Sequence, residues 1–142
     1  MAENPKKVVI DTNVLVSAIV YGGNPRKILS QLSAREISAV TSAILLAELT
    51  DVLAKKFNFN RDDILLIERQ IKRHFILVYP QKTVDVLPDN NPDNRVLEVA
   101  SEGDCDYIIT GDKELLRLKF WNSIEILTAS EFYEKLYMEK NN

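Results

Sequence analysis

VVIDTNVLVSA, residues 8–18, sets a carboxylate inside an apolar run. Val8, Val9 and Ile10 lead into Asp11, and Val14, Leu15 and Val16 resume the apolar character after Thr12 and Asn13. A lone charge taken out of water is costly, so Asp11 calls for a partner, a proton or a metal. The flanks decide its setting. KKVVID is a short β-branched run and reads as a strand that ends at Asp11. VLVSAIV reads as a short helix that YGG interrupts.

Working outward, Asn24-Pro25 predicts a second helix, with Asn as N-cap and Pro at its first position. EISAV (36–40) is a second strand, and Thr41-Ser42 lead into a helix with apolar residues at 44, 45, 49, 52 and 53. Another helix runs from about Arg61 to His74, followed by an extended FILVY. Asp93 to Glu102 reads as a helix, YIIT (107–110) and IEIL (124–127) as strands, and a terminal helix starts near Ser130. Strands alternating with helices imply an α/β fold with a parallel sheet covered on both faces. No repeat or linker-like tract divides the chain, so residues 1–142 read as a single domain.

Composition narrows the chemistry. The hydrophobic fraction is 46% and the charged fraction 27%, ordinary for a soluble globular protein. No apolar run approaches the roughly 20 residues that span a bilayer, and MAENPKK carries no apolar signal segment. A single cysteine, Cys105, cannot form an internal disulfide, which fits a reducing, cytoplasmic setting. The net charge of −3 argues against coating nucleic acid by bulk electrostatics, though not against a local basic groove. With His74 the only histidine, zinc clusters and paired-histidine catalysis are excluded.

Carboxylates remain. In a parallel sheet, functional groups collect beyond the carboxyl ends of the strands. Asp11 occupies one such end and Asp112 another, after YIIT and Gly111. Glu48 has Ile44, Leu45 and Val52 as helical neighbours, which predicts a place on the apolar stripe. Asp93 opens a helix whose partial positive end favours an ionised acid. Four such acids suggest a shared hard cation, Mg²⁺ or Mn²⁺, and with it phosphate chemistry. Taken singly, each has a plainer role: turn residue or cap for Asp11 and Asp112, an ion pair for Glu48, a helix-opening acid for Asp93. Spacing alone leaves both readings open.

The quoted stretch, followed by TSAILLAELTDVL, PDNRVLEVA and CDYIITGDKELL, resembles the PIN-domain ribonucleases. SAIVYGGNPRKIL is similar to their prokaryotic toxin–antitoxin branch (VapC-like). The likeness runs from Val8 to Thr128, and four short motifs in order carry it. It implies a three-layer α/β/α fold with sheet order 3-2-1-4-5, which makes the Asp11 strand and the YIIT strand neighbours. It implies that Asp11, Glu48, Asp93 and Asp112 are the catalytic, metal-binding quartet, with Asn13 and Thr110 as supporting polar residues. Asp89 is a nearby substitute for Asp93. The implied activity is hydrolysis of RNA phosphodiesters with Mg²⁺ or Mn²⁺, water attacking phosphorus and the 3′ oxygen departing. An antitoxin protein and a homodimer are the implied partners, and no membrane.

Between Leu53 and Lys82, seven basic residues face three acidic ones. Lys55, Lys56, Arg69 and Arg73 are candidate RNA contacts, against the plainer reading of a solvated helix face. His74, Cys105, Trp121, Tyr133 and Tyr137 read as structural, the tyrosines closing the core or a dimer surface. Two other functions compete. A haloacid-dehalogenase-like phosphatase would use Asp11 as nucleophile, but it needs a second acid where this chain has Asn13. A non-catalytic RNA- or partner-binding module would carry the acids without using them.

Overall fold

The computed structural model describes residues 5–140. β1 (Lys6–Ile10) lies at the centre of the sheet, followed by α1 (Thr12–Val20), α2 (Gly23–Ser33) and β2 (Ile37–Thr41). The helical hairpin of α3 (Ala43–Phe57) and α4 (Arg61–His74) leads to the two-residue β3 (Ile76–Leu77). After a long connection come α5 (Asn94–Glu102), β4 (Tyr107–Ile109), α6 (Lys113–Leu118), β5 (Phe120–Trp121), β6 (Ile124–Leu127) and α7 (Ala129–Lys140). The sheet order is β3-β2-β1-β4-β6-β5, parallel throughout except for the β5–β6 pair. Counting IEIL as the fifth strand, the expected 3-2-1-4-5 core is present, with β5 added at its edge.

Strand alternation explains the layers. Successive side chains point to opposite faces of a sheet. Val8, Ile10, Ile37, Ala39, Tyr107, Ile109 and Leu127 pack with buried residues of α1, α2, α3 and α4 and with Phe132 of α7. Val9, Val40, Ile108, Ile124 and Ile126 face the other way, onto Val96, Leu97, Val99 and Ala100 of α5 and Leu115 of α6. Both faces are therefore dry, and Val8, Val9, Ile108 and Ile109 have no exposure at all.

Three local expectations need correction. The second helix is capped by Gly22, not Asn24: the chain passes through φ +87° at Gly22 and +67° at Gly23, where glycine alone is unstrained. Arg26 then donates to the carbonyls of Ala18 and Ile19, closing the end of α1, while the Asn24 amide donates to Ser130 Oγ. On α3 the buried residues are Leu45, Leu46, Leu49 and Leu53, and Ile44 is 60% exposed. The stripe is thus rotated away from Ile44, which leaves Glu48 exposed at its edge rather than within it. Finally, α6 and β5 were not expected. Six and two residues are too short for a period to show. The β5–β6 hairpin closes through Asn122 and Ser123, both with positive φ, as a tight two-residue turn requires.

Gly103, which ends α5, abuts the central sheet. A Cβ there would lie 2.8 Å from Val40 Cγ1 and 3.2 Å from the Val99 carbonyl oxygen. Gly103→Ala should destabilise the fold by about 1–3 kcal/mol through overpacking. Urea unfolding should show this as a lower midpoint with an unchanged m-value.

Candidate active site

The pairing of β1 with β4 in register, Val9 beside Ile108 and Ile10 beside Ile109, brings Asp11 next to Thr110. The Asp11 amide donates to the Ile109 carbonyl at 2.9 Å, so the backbone past the strand end is fixed. Asp11 is only 4% exposed. Its Oδ2 accepts from the buried Thr110 hydroxyl at 2.7 Å, and the same hydroxyl oxygen accepts from the Asp112 amide at 3.0 Å. One threonine thus ties two acids together across neighbouring strands. Asp112 caps α6, its Oδ1 accepting from the amides of Glu114 (2.9 Å) and Leu115 (3.2 Å).

Asp93 reaches the same place from the start of α5, on the same side of the sheet as α6. Asn94, buried at the start of α5, exchanges two hydrogen bonds with the backbone of Leu87. Glu98 accepts from the Val84 amide and Glu102 from the Gln81 amide, which fastens the long connection along α5. The side-chain Oδ1 of Asn91 accepts from the Asp93 backbone amide at 2.8 Å, and its Nδ2 donates to the Glu114 carboxylate at 2.6 Å. Asp89 is exposed in the preceding turn at φ +60°. From α3, Glu48 comes within electrostatic reach of Thr12 and Asp11.

The electrostatics show that the four carboxylates share one field. Burial raises the Asp11 pKa; hydrogen bonds from Thr110 and the Thr12 amide oppose this, and Asp112 adds to it. Glu48 is raised by burial of its carboxyl end and then by Asp11, with the Thr12 hydroxyl acting against both. Asp93 is pushed up to about 7, by burial first, then by the charges of Asp11 and Asp112, by a hydrogen bond with the Asp112 carboxyl, and by Glu48. The partial positive charge at the start of α5 does not overcome three neighbouring acids.

The donor set is all oxygen, suited to a hard cation. Among the described residues no three acidic, histidine or cysteine side chains are already gathered as a coordination shell. Beside the acids opens a cleft of about 550 Å³ lined by Asn13, Gly111, Asp112, Lys113, Glu114 and Arg117. Asn13 is exposed on its rim.

The basic candidates stand elsewhere. Lys55 and Lys56 lie in the last turn of α3, where Lys55 pairs with Asp51 at 2.9 Å, and Arg69 and Arg73 lie exposed on α4. None of the four lines the cleft. Cys105 is buried, and burial pushes its thiol up to about 12, which makes it a packing residue. Trp121 packs partly buried against the α5–α6 side of the sheet, and Tyr133 partly buried against the other. Sequence reading missed Thr12, Asn91, Lys113 and Arg117. The D-T-N tripeptide itself contained the first, while the others are set by folding.

Two measurements test this geometry. Thr110→Val keeps the shape but removes the donor to Asp11 and the acceptor for the Asp112 amide; it should cost about 1–3 kcal/mol in urea unfolding. An acid whose folded pKa is raised favours folding below its ordinary value and loses that contribution as pH rises through the folded value. Without divalent cations, the melting temperature should fall as pH rises from the ordinary 3.8 of Asp93 through about 7. Asp93→Asn should flatten that decline; an unchanged slope would mean that the acids do not share a field.

A family model described as a PIN domain matches residues 7–114. The uncharacterized protein MJ1680 of Methanocaldococcus jannaschii is 32% identical to this chain, over 91% of this chain and 90% of that protein. With an α/β sheet of the expected order and matches of this extent, the chain belongs to the PIN-domain family, whose members are generally metal-dependent nucleases.

Proposed function

We propose that this protein is an endoribonuclease that hydrolyses RNA phosphodiester bonds with Mg²⁺ or Mn²⁺ held by Asp11, Glu48, Asp93 and Asp112. The observation that carries this reading is Asp93, which feels the charges of Asp11, Asp112 and Glu48 at once. Such repulsion, left uncompensated, works against folding; a divalent cation turns it into affinity. Membership of a family whose members are generally nucleases weighs against the phosphatase alternative.

When bound, the cation supplies a water made nucleophilic near neutral pH and neutralises charge on the phosphate under attack. The chain's own residues do the positioning. Thr110 holds the Asp11 carboxylate, Thr12 favours the ionised form of Glu48, and Asn91 fixes the backbone at Asp93. Asn13, on the rim of the cleft, offers an amide donor to a phosphate oxygen. Asp93, whose pKa is raised, must give up its proton to serve as a ligand, so cation affinity rises with pH.

The finer assignment rests on the motif likeness. We take the chain as one domain over residues 1–142, acting in the cytoplasm as the VapC-like toxin of a toxin–antitoxin pair, with an antitoxin protein and a second copy of itself as partners. No helix among the described residues is long and apolar enough to cross a membrane. Lys55, Lys56, Arg69 and Arg73 remain proposed contacts for RNA beyond the cleft.

Purified protein incubated with structured and single-stranded RNAs should cleave when Mn²⁺ or Mg²⁺ is present. Asp11→Asn should reduce cleavage to the level of the EDTA control. RNA and metal binding without cleavage would favour the non-catalytic module, and cleavage that survives both controls would sink the acidic site. By calorimetry, Mn²⁺ affinity should increase from acid to neutral pH with release of protons, and Asp93→Asn should weaken that pH dependence.

A further inference from the structure

An acidic centre on a chain of net charge −3 faces a difficulty with a polyanionic substrate. The cleft beside Asp112 contains its own answer. Lys113 and Arg117 stand four residues apart on α6, a spacing that puts them on one face of the helix, and both line the cleft with Asn13 and Asp112. Neither forms an ion pair among the described residues. Glu114, the acid placed between them, has its carboxylate engaged by Asn91 at 2.6 Å. The Asp112 Oδ1 accepts from two backbone amides. At Gly111 an added Cβ would meet nothing within 4 Å, so the space next to Asp112 is open.

Resting on the nuclease reading above, we propose that Lys113 and Arg117 form a phosphate subsite, holding a backbone phosphate of the RNA next to the one that is cut. The fork of a guanidinium matches two phosphate oxygens, and a lysine adds a compact charge. The carboxylates and their cation take the scissile group, while α6 takes its neighbour. The substrate is then held by backbone charge rather than by base identity, and both cations serve as positioning residues.

The test is a fluorescence-anisotropy titration of a short unstructured RNA over a series of salt concentrations, with Ca²⁺ replacing Mg²⁺. Wild type, Lys113→Ala/Arg117→Ala, the charge-keeping Lys113→Arg/Arg117→Lys, and Lys6→Ala are compared. Lys6 lies exposed at the amino end of β1, the opposite end of the strand from the cleft, and controls for loss of bulk charge. The double alanine variant should bind roughly tenfold more weakly, and its slope of log affinity against log salt should shrink by about 0.7, the value for one phosphate of a single strand that is no longer neutralised. The charge-keeping variant should retain the slope, and Lys6→Ala should match wild type. An unaltered slope in the double alanine variant, with cleavage of RNA by the wild type intact, overturns the subsite and leaves the nuclease standing. RNA binding that depends on the pair without cleavage keeps the subsite and removes the nuclease. No RNA binding by the wild type overturns both. Thermal melts check that the variants fold, and the charge-keeping pair tests the same positions without removing the cations.

Discussion

The 2.7 Å hydrogen bond from Thr110 Oγ1 to Asp11 Oδ2 is the interaction on which the site depends. A carboxylate 4% exposed at the end of the central strand requires a donor, and Thr110 can supply one only if β4 lies beside β1 in the observed register. The same hydroxyl receives the Asp112 amide, so the second acid is set by the first. Around this pair the fold adds Glu48 from α3 and Asp93 from the connection stapled to α5. Their charges make Asp11, Glu48 and Asp93 harder to ionise, and that repulsion is held in place by two apolar half-cores on either side of the sheet. Sites that work against folding are characteristic of function, because nothing in packing rewards them.

Charge is also distributed along the short helix α6. Its cap, Asp112, belongs to the acidic centre, while its body carries Lys113 and Arg117 into the same cleft. Attraction for a cation and attraction for a polyanion thus sit within one helix length of each other. At such short range the two effects need not cancel, since local fields outweigh the net charge of the chain. The bulk value of −3 is therefore a poor guide to what the cleft accepts.

Much of this was legible before folding was considered. Apolar runs at 8–10 and 107–109, and IEIL at 124–127 with its single charge, mark strands, and all three are found there. Helices expected from about 61 to 74 and from 93 to 102 are found at 61–74 and 94–102. Asp11 and Asp112 stand out as acids terminating such runs. Less was legible where one residue's geometry depended on groups distant in sequence. Asn24 looked like a cap, yet the two glycines before it made the turn and freed it to reach Ser130. Ile44 fitted the apolar stripe by spacing, but packing chose Leu46 in its place and moved Glu48 to the edge.

By itself the sequence determined the α/β class, most strands and helices, and which four acids needed an explanation. Those follow from local periodicity and from the cost of burying charge, both properties of short segments. Only the tertiary structure decided that Asp93 meets Asp11, Asp112 and Glu48, that Thr12 and Thr110 support them, and that Lys113 and Arg117 open onto the same cleft. These interactions join residues up to 99 positions apart, such as Asp11 and Thr110, and depend on strand order and helix rotation. No local pattern encodes such distances. They emerge when the two faces of the sheet are covered and the ends of β1 and β4 come side by side.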